Sequence, residues 1–320
     1  MGNAKKIILL IALGAVAVGA VLALIALAAV GFDVGKLGTG KYATVNRPVE
    51  GEFSRVDISV RTADVQFVLA EDGVARVECF EDEKQPHTVA VSDGTLTVKG
   101  LDQRKWYEKI SIISKSAKVT VYLPEKAYAA LSVKTDTGDV KIPDGFDFGE
   151  IRIETDTGDV SLTGGAPASL AVETDTGDVS LSSINPGAVR IGVDTGKVVL
   201  TGVTCGDLFA ETDTGKVKMT DVVCAALIID TDTGDVVLTN VVGTGAATIK
   251  TDTGDVKLDR SDAASYTIRT DTGDVTGTVR TSKFFIAETK TGKKSVPQTR
   301  DGGDFDVSTH TGDIKISIAE

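Results

Sequence analysis

The sequence is short of the residues on which most enzyme chemistry depends. Among 320 residues there are two histidines, three cysteines, one tryptophan and two methionines, and aromatic side chains make up only 5% of the chain. The two histidines, His87 and His310, stand far apart, and no metal-ligand or nucleophile–base spacing surrounds either. Few aromatics and no long loop insertions leave little with which to build a sugar-binding cleft, so a carbohydrate-active β-helix enzyme is the least favoured reading and the chain is read as a non-enzyme. Positive charge is also in deficit: 34 Lys and Arg face 46 Asp and Glu, for a net charge of −12. Such acidity disfavours nucleic acid as a partner and leaves cations and basic surfaces. Cys79, Cys205 and Cys224 are an odd number and show no disulfide framework. Cys205 and Cys224 lie one repeat apart and are expected to stack as small buried apolar residues, because in-register side chains on parallel strands rarely meet the disulfide dihedral.

What is present begins with an uncharged apolar run, Ile7 to Val30, preceded by Lys5 and Lys6. As a helix it would be about 36 Å long, enough to cross a bilayer with some tilt. It is longer than the roughly 7–15 residues of a secretory signal core, so an uncleaved anchor is preferred over a signal cut near Ala26-Leu27-Ala28. The lysines then place the N-terminus in the cytoplasm and the rest outside, a single-pass protein of the cell membrane. The expected organisation is a cytoplasmic tail over 1–6, a transmembrane helix over 7–30, a linker over 31–50, an N-terminal β section and cap over 51–124, and repeats over 125–320.

The repeats carry Thr-Asp-Thr-Gly-Asp-Val, first at Thr135 to Val140. Its glycines recur at Gly138, Gly158, Gly177, Gly196, Gly215, Gly234, Gly254, Gly273, Gly292 and Gly312, always 19 or 20 residues apart. Such a period marks a stacked-repeat protein in which each unit covers its neighbour's apolar face. On either side of Asp175-Thr176-Gly177-Asp178, Leu170, Val172, Val179 and Leu181 alternate with polar or small residues. This predicts two short strands joined by a tight turn in which glycine supplies φ > 0. Val203, Val222 and Val241 suggest a third short face. Arg61-Thr62-Ala63-Asp64 is a degenerate first copy. Between Glu71 and Ser116 the period is lost, and this section, with Asp93-Gly94 as a hairpin turn and Trp106 in a basic patch of Arg104, Lys105 and Lys109, is expected to cap the stack. The fold class is therefore an all-β, single-chain parallel β-helix or β-solenoid of about ten coils, preceded by one transmembrane helix.

The run from Val119 through Leu123-Pro124-Glu125 to Leu131-Ser132-Val133-Lys134 and Thr135-Asp136-Thr137-Gly138-Asp139-Val140 resembles DUF4097, a bacterial family of adhesin-like β-strand repeats. The resemblance spans about residues 51 to 318. It implies a β-solenoid at the cell envelope and brings no catalytic or cofactor-binding residues.

Asp-Thr-Gly is also the triplet of aspartic proteases, but those need two facing aspartates, whereas a solenoid lines the copies along one edge. Two acidic columns result. One holds Asp136, Asp156, Asp175, Asp194, Asp213, Asp232, Asp252 and Asp271; the other holds Asp139, Asp159, Asp178, Asp235, Asp255, Asp274 and Asp313, broken by Lys197, Lys216 and Lys293. Oxygen ligands in rows make calcium the candidate cation, with the pairs Asp136/Asp139, Asp156/Asp159, Asp175/Asp178, Asp232/Asp235, Asp252/Asp255 and Asp271/Asp274 as candidate ligands. The plainer account is solvated turn aspartates, whose repulsion of about 1 kcal/mol per neighbouring pair the fold tolerates in water. The Thr-x-Thr spacing suits an ice-binding array less well, because Val193 replaces the first threonine and so points inward.

These readings converge on a membrane-anchored extracytoplasmic scaffold or adhesin-like binding module with an envelope or surface partner. A component of an envelope-stress sensing or signalling system is the alternative. Self-association is expected at the C-terminal coil, where Ile314, Ile316 and Ile318 alternate along an edge.

Overall fold

The computed structural model describes residues 12–21, 24, 25, 28, 32, 40–104 and 116–319. Residues 12–21 form a helix whose side chains are all exposed. Among the described residues no helix is long and apolar enough to cross a membrane. Much of the Ile7–Val30 run, and Trp106 with Lys105 and Lys109, lie outside the described residues.

From residue 40 onward the described chain is β structure. Its N-terminal part comprises β1 (Tyr42–Pro48), β2 (Arg55–Leu69), β3 (Arg76–Asp82), β4 (His87–Ser92), β5 (Thr95–Gly100), β6 (Ala117–Leu123) and β7 (Ala127–Thr137). The β2 strand is the first coil. Its first half pairs in parallel with β7 and its second half with Val140–Ile142, so the degenerate Arg61-Thr62-Ala63-Asp64 copy does start the solenoid. On its other side β2 carries β5 and β6, also parallel. The antiparallel pairs β3–β6, β1–β3 and β4–β5 then close the stack. Tyr42–Pro48, which the sequence places in a linker, is thus a cap strand. Asp93 and Gly94 both adopt positive φ, at 51° and 71°, as the predicted hairpin turn requires.

Beyond the cap, the coils beginning at Ala127, Asp147, Ser169, Ala188, Leu208, Leu227, Ala246 and Ser265 advance in chain order, each in register with the last. With β2 this makes a parallel solenoid of about nine sequential turns. A long strand and a short strand meet at the Thr-Gly-Asp corner. The third face is present as the parallel pair Val223–Cys224 and Val242–Gly243. Alternation sends Val172, Val179 and Leu181 and their equivalents into a single continuous core.

The first threonine of each motif also points inward, as Val193 implied: Thr135, Thr155, Thr174, Thr212, Thr231, Thr251, Thr270 and Thr309 are all buried. Several hydroxyls donate to a motif glycine carbonyl of the adjacent coil, for example Thr251 Oγ1 to Gly234 O at 3.2 Å and Thr309 Oγ1 to Gly273 O at 3.1 Å. Glycine is required at the corner for two reasons. Gly177 has φ 155°, and a Cβ there would lie 2.0 Å from the carbonyl oxygen of Gly158 one coil below. The second corner varies in sequence because it needs only one left-handed residue, supplied in turn by Gly164, Ser183, Gly202, Asp221, Asn240 and Arg260.

The last two coils stack out of chain order. Gly303–Thr311 pairs with Ser265–Thr272 on one side and with Lys283–Thr291 on the other. Ile314 likewise faces both Val275 and Lys294. Ile314 and Ile316 are therefore buried, and the expected open edge at Ile314, Ile316 and Ile318 is corrected: the outermost coil is Lys283–Ser295. A nearly buried ion pair fixes this exchange. Lys283 Nζ lies 2.8 Å from Asp262 Oδ1 and 2.6 Å from Thr281 Oγ1.

Candidate functional site

The two acidic columns behave differently once folded. In the second column each carboxylate accepts a backbone N–H from the coil above. Asp64 Oδ1 takes the N–H of Asp139 at 3.1 Å, Asp139 that of Asp159 at 2.9 Å, Asp159 that of Asp178 at 2.8 Å, and Asp178 that of Lys197 at 2.8 Å. After the break at Lys197 and Lys216 the ladder resumes from Asp235 through Asp255 and Asp274 to Asp313, and ends at Lys293. Lysine Nζ atoms return charge to the gap, Lys197 to Asp178 at 3.6 Å and Lys216 to Asp235 at 3.3 Å.

The first column is free by comparison. Asp136 meets Arg61 at 3.3 Å, and Asp271 meets His310 Nδ1 at 3.0 Å. Asp156, Asp175, Asp194, Asp213, Asp232 and Asp252 are exposed and make no hydrogen bond or ion pair among the described residues. No three carboxylates of these columns bring oxygens together among the described residues. The ladders therefore engage half of the candidate aspartates, one oxygen of each, in the fold itself.

On the outer face of the long strands, Ala171, Arg190, Phe209 and Ile228 lie in register on consecutive coils. They line a shallow, mainly apolar groove of about 310 Å³. The Arg190 guanidinium lies over the Phe209 ring, 4.4 Å from its centre, and Ile228 is 43% exposed. Elsewhere this face carries cross-strand ion pairs such as Lys134–Glu154 at 2.9 Å and Arg152–Glu173 at 3.4 Å. Hydrogen bonds from Lys134 and Arg152 hold the Glu154 carboxyl below its usual range.

Cys205 and Cys224 are free thiols on adjacent coils. Cys224 is buried and Cys205 partly so, and desolvation pushes the Cys205 thiol up to about 12. Among the described residues no disulfide forms, in keeping with the small apolar role expected for them.

The cap contains what the sequence did not signal. Cys79 and Glu81 alternate on the inward face of β3, and the turn after it returns the chain so that His87, at the start of β4, meets them. Glu81 Oε2 accepts both the backbone N–H of His87 at 2.7 Å and its ring Nδ1–H at 2.8 Å. Glu81 Oε1 accepts from the Arg47 guanidinium. Cys79, Glu81 and His87 are all buried. Desolvation, with the charge of Glu81 nearby, pushes the Cys79 thiol up to about 11. On its other side the His87 ring approaches Gly100, where a Cβ would lie 3.6 Å from Nε2. There it borders a pocket of about 50 Å³ shared with Tyr42, Arg61, Asp82, Asp102 and Arg104. Asp102 ties the far wall together, with Arg61 at 3.0 Å and Arg104 at 2.9 Å. His87 is therefore not the isolated residue it is in the sequence.

Uniform coils, one conserved corner geometry and a capped N-terminal end define a single-chain parallel β-solenoid of the stacked-repeat class. Residues 53–221 and again 204–320 match the family model Toastrack DUF4097, and the chain belongs to that family. Among solved structures it is similar to a "putative lipid binding protein" from Parabacteroides distasonis ATCC 8503, at 16% identity and a TM-score of 0.53, with 75% of this chain and 98% of that chain covered. It is also similar to a "putative adhesin" from Bacteroides fragilis NCTC 9343, at 16% identity and a TM-score of 0.43, covering 87% of this chain and 97% of the other. At such identities the likeness is one of fold. No curated protein matches the chain.

Proposed function

We propose that the chain is a membrane-anchored β-solenoid whose rod stands outside the cytoplasm and serves as an adhesin-like scaffold or binding module at the cell envelope, without catalysis. The observation that carries this reading is the contrast between the two exposed apolar surfaces. Leu13, Val16, Val18 and Val21 on the N-terminal helix are each more than half exposed, and nothing among the described residues packs over them. A run of such residues finds its cover in lipid, at a gain of about 25 cal/mol per Å² of apolar surface buried. The rod itself buries most of its apolar residues and offers instead a charged face with an apolar-aromatic groove, a surface suited to a protein or glycan partner. Membership of the Toastrack family and the adhesin-like naming of similar folds support the same reading.

The test uses the full chain expressed in a bacterial host. Membrane fractionation should find it in the membrane pellet after carbonate washing, and protease added to intact spheroplasts should digest the rod. A chain lacking residues 1–30 should lose pelleting. Recovery of the full chain in the soluble cytoplasmic fraction, protected from protease, would overturn the proposal.

A further inference from the structure

We propose that Cys79, Glu81 and His87 form a binding site in the N-terminal cap for a divalent transition metal of the zinc class. One donor atom from each residue, the Cys79 sulfur, a Glu81 carboxylate oxygen and a ring nitrogen of His87, lies within 4.8 Å of the other two. It is the one group of three or more such donors that converges among the described residues. Zinc holds sulfur at about 2.3 Å and nitrogen or oxygen at about 2.0–2.2 Å, which sets ligand atoms about 3–4 Å apart. The trio brackets that spacing: its donor atoms lie within 4.8 Å of one another, and Glu81 Oε2 and His87 Nδ1 are 2.8 Å apart.

The ligands sit on a rigid frame. Cys79 and Glu81 are two residues apart on β3, which pairs with β1 through Val45–Cys79 and Ala43–Glu81 and with β6 through Val119–Cys79. His87 is held by its own backbone N–H on Glu81. The donor set selects the metal class. A thiolate and an imidazole beside a single carboxylate suit zinc and its neighbours, whereas calcium and magnesium take oxygen throughout. This separates the cap from the acidic columns.

The polar surroundings are those of a second layer around a metal. Arg47 binds Glu81, and its Nε is a buried donor with no partner. The same guanidinium lies beside Cys79. On metal binding the thiol loses its proton to solvent and becomes a metal-bound thiolate. The ligating ring nitrogen of His87 must likewise be bare, so any proton on it passes to the other nitrogen or to solvent. No electron changes hands. Zinc, Cys⁻, Glu⁻ and neutral His sum to zero charge, so the one guanidinium is tolerated at the site's edge. Three protein ligands leave a fourth position for a water or another small ligand.

The test is a cobalt titration of the metal-stripped full chain in which Cys205 and Cys224 are both changed to Ala. Cys79 is then the sole thiol, so a thiolate-to-cobalt charge-transfer band can arise only there. The expected result is a band saturating at one equivalent, abolished by one equivalent of zinc, with about one proton released per metal at neutral pH. His87→Ala should weaken zinc binding at least about tenfold while keeping the β-sheet circular dichroism spectrum. A folded sole-thiol chain that shows no band at several equivalents of cobalt overturns the proposal. So does a band that His87→Ala and Glu81→Gln both leave unchanged.

Discussion

The middle of the rod and its two ends solve the same problem by different means. Between Asp147 and Thr253 each coil meets an almost identical neighbour, and stability comes from interactions repeated along the stack: a buried apolar column, an inward threonine in every coil but that of Val193, and, outside the break at Lys197 and Lys216, a carboxylate on the next coil's N–H. The ends have no next coil, and there the chain turns to single-use devices. At the N-terminus antiparallel strands close the stack around an Arg47–Glu81–His87 cluster and the packed rings of Phe53, Phe67, Tyr128, Phe146 and Phe148. At the C-terminus two coils trade places, held by the Lys283–Asp262 pair and by Tyr266, Phe285 and Phe305. Scarce aromatic and buried charged side chains are thus concentrated where repetition stops. The lesson is that a repeat protein's specificity resides in its irregular parts.

The strongest way to break this comparison is at the spine of the middle. Gly177→Ala places a methyl group 2.0 Å from a backbone oxygen at a φ of 155°. It should cost at least about 4 kcal/mol, read from urea unfolding. A loss below about 1 kcal/mol would mean that the corner can open. Next comes the C-terminal lock. Lys283→Met strands a nearly buried carboxylate and should cost about 3–5 kcal/mol, whereas Lys283→Met with Asp262→Leu should recover most of the loss. If the double variant is as unstable as the single one, the pair does not act as a unit.

A third test sharpens the difference between the acidic columns. Asp178→Ala removes the acceptor of the Lys197 N–H and should cost about 1 kcal/mol, while Asp175→Ala should stay within about 0.5 kcal/mol. Exchange of chelator for calcium should move neither midpoint. A rise with calcium that Asp175→Ala abolishes would make the free column a metal site. The smallest effect is electrostatic. The Glu154 carboxyl is held down in the folded chain by Lys134 and Arg152, so its contribution is present above the unfolded carboxyl's value near 4.5 and fades as pH falls through the lower folded value. Solvent screening keeps it to a few tenths of a kcal/mol. Glu154→Gln should therefore lower the unfolding midpoint slightly at pH 7, and the difference should vanish in acid.

Much of the fold was legible because a 19- or 20-residue period states both the coil length and the register. Val193 among the threonines revealed which way the motif points, and Arg61-Thr62-Ala63-Asp64 marked the first coil across the aperiodic gap. The exchange of the last coils was not legible: Thr289-Lys290-Thr291-Gly292 and Thr309-His310-Thr311-Gly312 carry the same signal, and nothing local tells which lies outside. Nor was the cap cluster. Cys79 and Glu81 fall in the section without a period, and only the turn after β3 brings His87 onto them. The ladder role of Asp139 and its column was not visible either: both columns read alike as turn aspartates, and no local signal shows a carboxylate reaching the N–H of the next coil.

The exchanged coils also change how the end of the rod comes apart. In an ordinary solenoid the outermost coil is the chain's tail, and when it peels away it gains the full freedom of a loose end. Here the outermost coil, Lys283–Ser295, is tethered on both sides, to Val279 before it and to Gly303 after it, and both anchors stay seated in the stack. Lifting it frees only a closed loop, whose entropy is smaller than that of a tail of equal length. The coil that follows Lys283–Ser295 in sequence lies one layer in, bonded on both edges over Phe305–Thr311. The rod is finished the way a cord is whipped, with the later-threaded strand tucked beneath the outer turn.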